Sequence, residues 1–256
     1  MDQVFFSDVH LGAFNREKNN QLEYAVTSLV EYCMQNAIQL HVLGDLFDYW
    51  MEFTDYIPEL GKAMLDKLEE YNRTVIEANY ITGNHDYWTI SHFSERGFRV
   101  YPEELKLTIE RNNILLFHGD GLSRSEYELP HPFLNHFLRN RTFVAIYRKL
   151  FSGKTGNLIM KKFSDFTRDE ENLRPERLSE WSESYLNKHN VDFIITGHDH
   201  VPRIETFAGG TYINCGAFYQ HQTVVRYTNN QFELVVWNGR QQQFEPFENS
   251  FKTELK

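Results

Sequence analysis

Five short stretches of this 256-residue chain place histidine, aspartate or asparagine directly behind an apolar run. They are Asp8-Val9-His10 after Val4-Phe5-Phe6, and Gly44-Asp45-Leu46-Phe47-Asp48-Tyr49-Trp50 after Gln39 to Leu43. Gly83-Asn84-His85-Asp86 follows Tyr80-Ile81, His118-Gly119-Asp120 follows Ile114 to Phe117, and Gly197-His198-Asp199-His200 follows Phe193-Ile194-Ile195. A single Gly-Asp behind a strand reads by default as a turn or a helix N-cap. Repetition argues otherwise, since five of the chain's eleven histidines fall in these places. Imidazole nitrogen with carboxylate or amide oxygen suits manganese, iron or zinc better than magnesium or calcium. Asp8 and His10 stand two residues apart, as do His198 and His200, and in extended chain such pairs share a side.

Positioning these residues requires strands that end together. The apolar residues Leu22, Val26, Leu29, Val30, Cys33 and Met34 recur at helical spacing between positions 18 and 37. Ile57, Leu60, Met64, Leu65, Leu68 and Tyr71 do so again, with short β-like runs between. Such alternation predicts parallel βαβ units, and ligands collect beyond the carboxyl ends of strands in such sheets. From Arg99 to Phe117 the pattern changes to short strands, with Arg111-Asn112-Asn113 as a hairpin turn. Residues from about 121 to 190 are helical by period and carry no ligand motif, which suggests a helical cap inserted into one domain spanning 1-256. Arg203 to Trp237 alternates like a β-meander with turns at Gly209-Gly210 and Asn229-Asn230, and a polar tail follows from about Gln241.

Composition excludes some functions. A net charge of -10 argues against nonspecific nucleic-acid binding, which needs a basic surface to displace counterions. Cys33 and Cys215 form no metal- or disulfide-type pattern, as in a reducing compartment, and Asp2-Gln3 leads straight into a strand rather than a leader, so a cytoplasmic location is expected. No apolar run reaches the roughly 20 residues of a membrane span.

The order of the five motifs, D-x-H, G-D-x-x-D, G-N-H-D, H-G and G-H-x-H, resembles that of the calcineurin-like metallophosphoesterases, from Asp8 to His200. The resemblance implies a two-sheet β-sandwich flanked by helices (an αββα, α/β-class fold) and two divalent metal ions, with manganese the first expectation and iron or zinc alternatives. It implies one ion on Asp8, His10 and His200, another on Asn84, His118 and His198, and Asp45 bridging. It further implies that His85 faces the substrate, where it stabilises phosphoryl charge or protonates the leaving group, oriented by Asp48. The block ending in Trp50 is similar to that of the UDP-2,3-diacylglucosamine pyrophosphatases of lipid A synthesis, which release UMP and a lipid phosphate. Many of those enzymes carry arginine where this chain has His85, so hydrolysis of another nucleotide or phosphoester stays open. A binding module that kept the fold without catalysis is a third reading, against which stands a complete ligand set.

Between Arg139 and Lys162 lie seven basic residues and no acid, interleaved with Phe143, Val144, Ile146, Leu150 and Leu158. A solvated basic helix face is one reading. The other is a cap that meets an anionic, partly apolar substrate or the inner membrane surface, with Arg124, Arg148 and Lys149 as candidate contacts. His41, His92, His131, His136, His189 and His221 read as structural, and Ser7, Ser123 and Ser125 lack the surroundings of a nucleophile.

Overall fold

A computed structural model describes residues 1–120, 140–168 and 174–247. Strands β1 (Gln3–Phe6), β2 (Gln39–Leu43), β3 (Asn79–Ile81) and β4 (Arg99–Tyr101) pair in parallel. Helices α1 (Arg16–Gln35), α2 (Lys62–Thr74) and the one-turn α3 (His92–Glu95) lie in the successive connections between them. Asn15 starts α1 by accepting the Lys18 N–H on its side-chain oxygen at 2.9 Å. The periodic run beginning at Ile57 yields helix only from Lys62, because Gly61 is left-handed at φ 63 and ends the helical path upstream.

Strands β5 (Glu104–Ile109), β6 (Asn112–Phe117), β7 (Phe193–Thr196), β8 (Arg203–Phe207) and β9 (Gly210–Asn214) make a second sheet, ordered β5-β6-β7-β9-β8. Strands β10 (Thr223–Thr228), β11 (Gln231–Asn238) and β12 (Gln243–Pro246) extend the first sheet to the order β12-β11-β10-β1-β2-β3-β4. Helices α4 (Arg141–Leu150), α5 (Gly153–Arg168) and α6 (Pro175–Leu186) come between β6 and β7, and the short α7 (Phe218–His221) precedes β10.

Alternation along the strands sorts the side chains into layers. Val4 and Phe6 join Leu40 and Val42 in the core under α1 and α2, while Phe5 and Leu43 point to the other face. There they meet Ile114, Leu116, Ile195 and Ile213 of the second sheet. Leu115 and Ile194, one residue out of phase, pack with Leu178 and Leu186 of α6 on the far side. The layers are therefore helix, sheet, sheet, helix. None of the described helices is long and apolar enough to cross a membrane.

Three local expectations need correction. The hairpin turns at Glu110-Arg111, where Glu110 takes φ 57, and Asn112 and Asn113 are paired in β6 opposite Ile109 and Thr108. Arg203 to Trp237 is not one meander, because β8 and β9 belong to the second sheet and β10 and β11 to the first. The segment after Gln241 contributes β12 rather than a polar tail, and its Phe244 packs edge-on to Tyr32 and against Trp237.

Candidate metal centre

The loops after β1, β2, β3, β6 and β7 converge, and main-chain hydrogen bonds hold them together. Asp8, Val9 and His10 donate their N–H groups to the carbonyls of Gly44 and Asp45 at 2.9 to 3.2 Å, and Gly197 N–H reaches the His118 carbonyl at 3.0 Å. The approach is close: a Cβ on Gly83 would collide with the Asp45 carboxylate, and one on Gly197 with Ser7 and Asp8. The backbone bends sharply at the polar residues themselves. Asp8, His10, Asp45, His198 and His200 all have left-handed φ, between 46° and 71°. Non-glycine residues in this region carry strain of order 1–3 kcal/mol each and cluster at functional sites.

Three sets of donor atoms lie within 4.8 Å of one another: Asp8, His10 and His200; Asp45, His118 and His198; and His10, Asp48 and His85. Asp8 Oδ1 is 3.3 Å from His200 Nε2 and 3.6 Å from His10 Nε2. Asp45 Oδ2 lies between the first two sets, 3.7 Å from His10 Nε2 and 3.1 Å from His118 Nε2. Asn84 Oδ1 approaches the same His118 nitrogen at 3.1 Å.

The surroundings aim these donors. The second oxygen of each central carboxylate is held by another motif: His198 N–H donates to Asp8 Oδ2 at 2.9 Å and His85 N–H to Asp45 Oδ1 at 3.0 Å. His118 Nδ1 lies 2.7 Å from the Leu43 carbonyl. A carbonyl only accepts, so this nitrogen carries a proton and Nε2 is the ring nitrogen that faces the cluster. The Asp48 carboxylate sits 3.7 Å from His10 Nδ1, and Tyr219 Oη is 3.4 Å from His200 Nδ1. His85 Nδ1 hydrogen-bonds the main-chain carbonyl of Asp48.

Charge follows the same geometry. Burial pushes the Asp8 carboxyl up, but attraction to His200 and His10 outweighs it and holds the group well below the usual carboxylate range. Burial likewise opposes and His118, then His85, overcome it at Asp45, which is also lowered. Burial pulls the His10 imidazole down, but Asp48 and Asp8 raise it to about 10. Imidazoles and carboxylates thus neutralise one another in a buried cluster.

A divalent transition metal fits this arrangement. Asp8 Oδ1 and His10 Nε2 are buried without a hydrogen bond, although both belong to the first set. Buried polar atoms of this kind ordinarily have partners, and mixed imidazole and carboxylate donors are those that such ions take.

Every motif residue expected to bind metal lies in this cluster, and His85 and Asp48 border it. Asp199 faces away and forms an ion pair with Arg203 at 2.8 Å. Ser7 Oγ donates to the Leu43 carbonyl at 2.9 Å, a structural role. Arg148 is half-buried and donates to the Trp88 carbonyl at 2.8 Å, Lys149 is exposed, and Arg124 lies outside the described residues, as do His131, His136, Ser123 and Ser125. Sequence reasoning missed Asp86. Its Oδ2 accepts from Leu46 N–H at 2.9 Å and from Tyr80 Oη at 2.5 Å, and its Oδ1 from Gly83 N–H at 2.7 Å, so it ties the Gly-Asp motif to the Gly-Asn-His motif. Its place beside His85 was the only signal.

The family model described as "Calcineurin-like phosphoesterase" matches residues 1–202. Among curated proteins, a UDP-2,3-diacylglucosamine hydrolase of Stenotrophomonas maltophilia is 26% identical over 91% of this chain and 98% of its own length. The protein of the same name from Vibrio atlanticus is 25% identical over 91% and 96%. That of Porphyromonas gingivalis is 24% identical over 77% and 82%. With most of the chain covered by the family pattern and candidate metal donors gathered where its strands end, this protein belongs to the calcineurin-like phosphoesterases and is a metal-dependent phosphoesterase.

Proposed function

We propose that the protein hydrolyses the diphosphate of UDP-2,3-diacylglucosamine to UMP and 2,3-diacylglucosamine 1-phosphate, with two manganese ions at the strand-end cluster. Asp8, His10 and His200 would hold one ion, and Asn84, His118 and His198 the other. Asp45 would bridge, and the observation that carries this reading is the position of its Oδ2 between the two imidazole sets. When bound, such ions lower the pKa of an attacking water and offset charge on the phosphoryl oxygens.

The chain's own residues do the rest. His85 Nδ1 is engaged by the Asp48 carbonyl and so carries a proton, which makes Nε2 the nitrogen that would deliver a second proton to the leaving oxygen. Asp45 Oδ1 accepts the His85 N–H at 3.0 Å and fixes the backbone of this donor relative to the metal ligand. Residues 121–190 would serve as a cap within one domain. On its described helices Ile146, Leu150, Leu158 and Ile159 are exposed beside Lys149, Lys154, Lys161 and Lys162. Apolar surface with positive charge suits an acylated, anionic substrate presented at the cytoplasmic membrane face. The relatives' shared name supports the same substrate.

The test is hydrolysis by the manganese-loaded protein of UDP-2,3-diacylglucosamine in detergent micelles, of UDP-sugars without acyl chains, and of bis(4-nitrophenyl) phosphate. Preference for the diacylated diphosphate by kcat/KM is the expected result. Turnover of the small diester with none of the lipid would leave a phosphodiesterase of another substrate, the reading that His85 favours where many of those pyrophosphatases carry arginine.

A further inference from the structure

Arg148 points into the joint between α4 and the segment that bears His85. Its Nη2 donates to the Trp88 carbonyl at 2.8 Å, and from the next helix Asn157 Nδ2 donates to the Met51 carbonyl at 2.8 Å. Met51 and Trp88 face each other in a short parallel bridge. That bridge is one end of a two-segment ladder, with Glu52 N–H bonded to the Trp88 carbonyl at 3.0 Å and Trp50 N–H to the His85 carbonyl at 2.8 Å. The other end is His85 itself, with Nδ1 on the Asp48 carbonyl. Both helices therefore grip the strip that sets the His85 ring, three residues from Trp88.

The joint is built to be tight. Met51, Phe53 and Trp88 form a buried cluster with Val144 and Tyr147 of α4. A Cβ on Gly156 of α5 would collide with the Phe53 ring, so the helix must come this close. Glu52, beside Met51, has its carboxylate fixed by the N–H groups of Ile90 and Ser91 at 2.7 and 3.0 Å, and its charge attracts Arg148. The Trp88 carbonyl uses both lone pairs, one for Glu52 N–H and one for the guanidinium.

We infer that Arg148, assisted by Asn157, is a positioning residue that latches the α4–α5 pair to the His85 strip and holds the imidazole in place for proton transfer. This rests on the reading of His85 as the proton donor. A displacement of about 1 Å in a reacting group can cost about 100-fold in rate, so loosening the strip lowers kcat even for a substrate too small to touch the helices. A substrate contact would behave differently, changing KM for the large substrate alone.

The experiment uses the full chain loaded with manganese and bis(4-nitrophenyl) phosphate. Arg148→Met should lower kcat about 10-fold with little change in KM. Arg148→Lys, which keeps a donor, should recover part of it, Asn157→Ala should show a smaller loss, and Thr142→Ala on the exposed side of α4 serves as control. The ring Nδ1–H resonance of His85, read in the diamagnetic zinc-loaded protein and assigned with His85→Ala, should move in Arg148→Met, which a general loss of stability would not produce selectively. Should Arg148→Met not fold, Asn157→Ala decides by the same two readouts. Unchanged kcat and an unmoved resonance would overturn the latch. If His85→Ala itself left turnover intact, the reading of His85 would fall, and the resonance alone would decide whether Arg148 sets its ring.

Discussion

Replacing Asp86 with alanine removes the acceptor for three buried donors at once: Leu46 N–H, Gly83 N–H and Tyr80 Oη. A buried donor left without a partner costs about 1–3 kcal/mol. A water admitted to the space would satisfy part of the set, which places the loss for Asp86→Ala at about 3–5 kcal/mol, a large share of a typical folding free energy. Asp86→Asn is a sharper probe. Its single carbonyl oxygen can serve Leu46 and Tyr80 or it can serve Gly83, and in either orientation the NH2 group faces a main-chain N–H. One backbone donor is lost rather than three groups, so about 1–2 kcal/mol is expected. Burial, then the Asp45 charge, pushes the Asp86 carboxyl up, and relief of that repulsion in the amide works in the variant's favour. Urea denaturation with excess chelator separates this loss from any change in metal binding, and amide exchange should show selective deprotection of Leu46 and Gly83. A loss under about 0.5 kcal/mol for Asp86→Ala, the scale of an ordinary surface substitution, or uniform deprotection of the whole sheet, would refute the reasoning.

Asp45→Ala should abolish metal binding at both candidate donor sets in elemental analysis, because its Oδ2 faces both. His85→Ala should keep metal content while kcat falls by about 10²- to 10⁴-fold; metal lost in proportion to activity would make His85 a ligand. Metal binding should release protons near neutral pH and weaken as pH falls, since His10 is raised to about 10 and an ion must displace its proton; calorimetry in buffers of different ionisation enthalpy reads the number released. His41 accepts from Asn79 on Nδ1 at 3.0 Å and donates from Nε2 to Gln3 at 2.8 Å, and burial lowers its pKa to about 3. The unfolded chain takes up this proton first, so stability is full above about pH 6.5 and falls by about 1.4 kcal/mol per pH unit toward pH 3; His41→Gln should remove that slope from denaturation curves.

Legibility from sequence tracked distance along the chain. Strand ends were readable because each motif sits within a few residues of the apolar run that positions it, and Asp8 with His10 shares one turn of backbone. The joining of sheets was not, since nothing local tells Phe5 that its partners are Ile195 and Ile213. Asp86 was seen as a motif letter, yet its work is done on Leu46, forty residues earlier. Asp48 shows a finer limit. Its carboxylate shares a donor set with His85, and the His85 Nδ1 is also taken by its carbonyl, a group every residue possesses and no sequence pattern can advertise. For the hairpin, Asn112-Asn113 had the better turn chemistry, but pairing of Ile109 with Asn112 left the two-residue loop to Glu110 and Arg111.

The left-handed backbone at Asp8, His10, Asp45, His198 and His200 restricts which amino acids this centre can ever use. Coordination chemistry alone would admit glutamate and cysteine alongside aspartate and histidine. Asparagine, aspartate and histidine, however, are the L-residues several-fold enriched at positive φ, so the backbone and the metal select from the same short alphabet for unrelated reasons. Glutamate at position 8 or 45 would keep the charge and forfeit the conformation. Drift at these sites is confined twice over, and variants that recover donor chemistry without this local geometry should remain folded only if the loop around them is rebuilt.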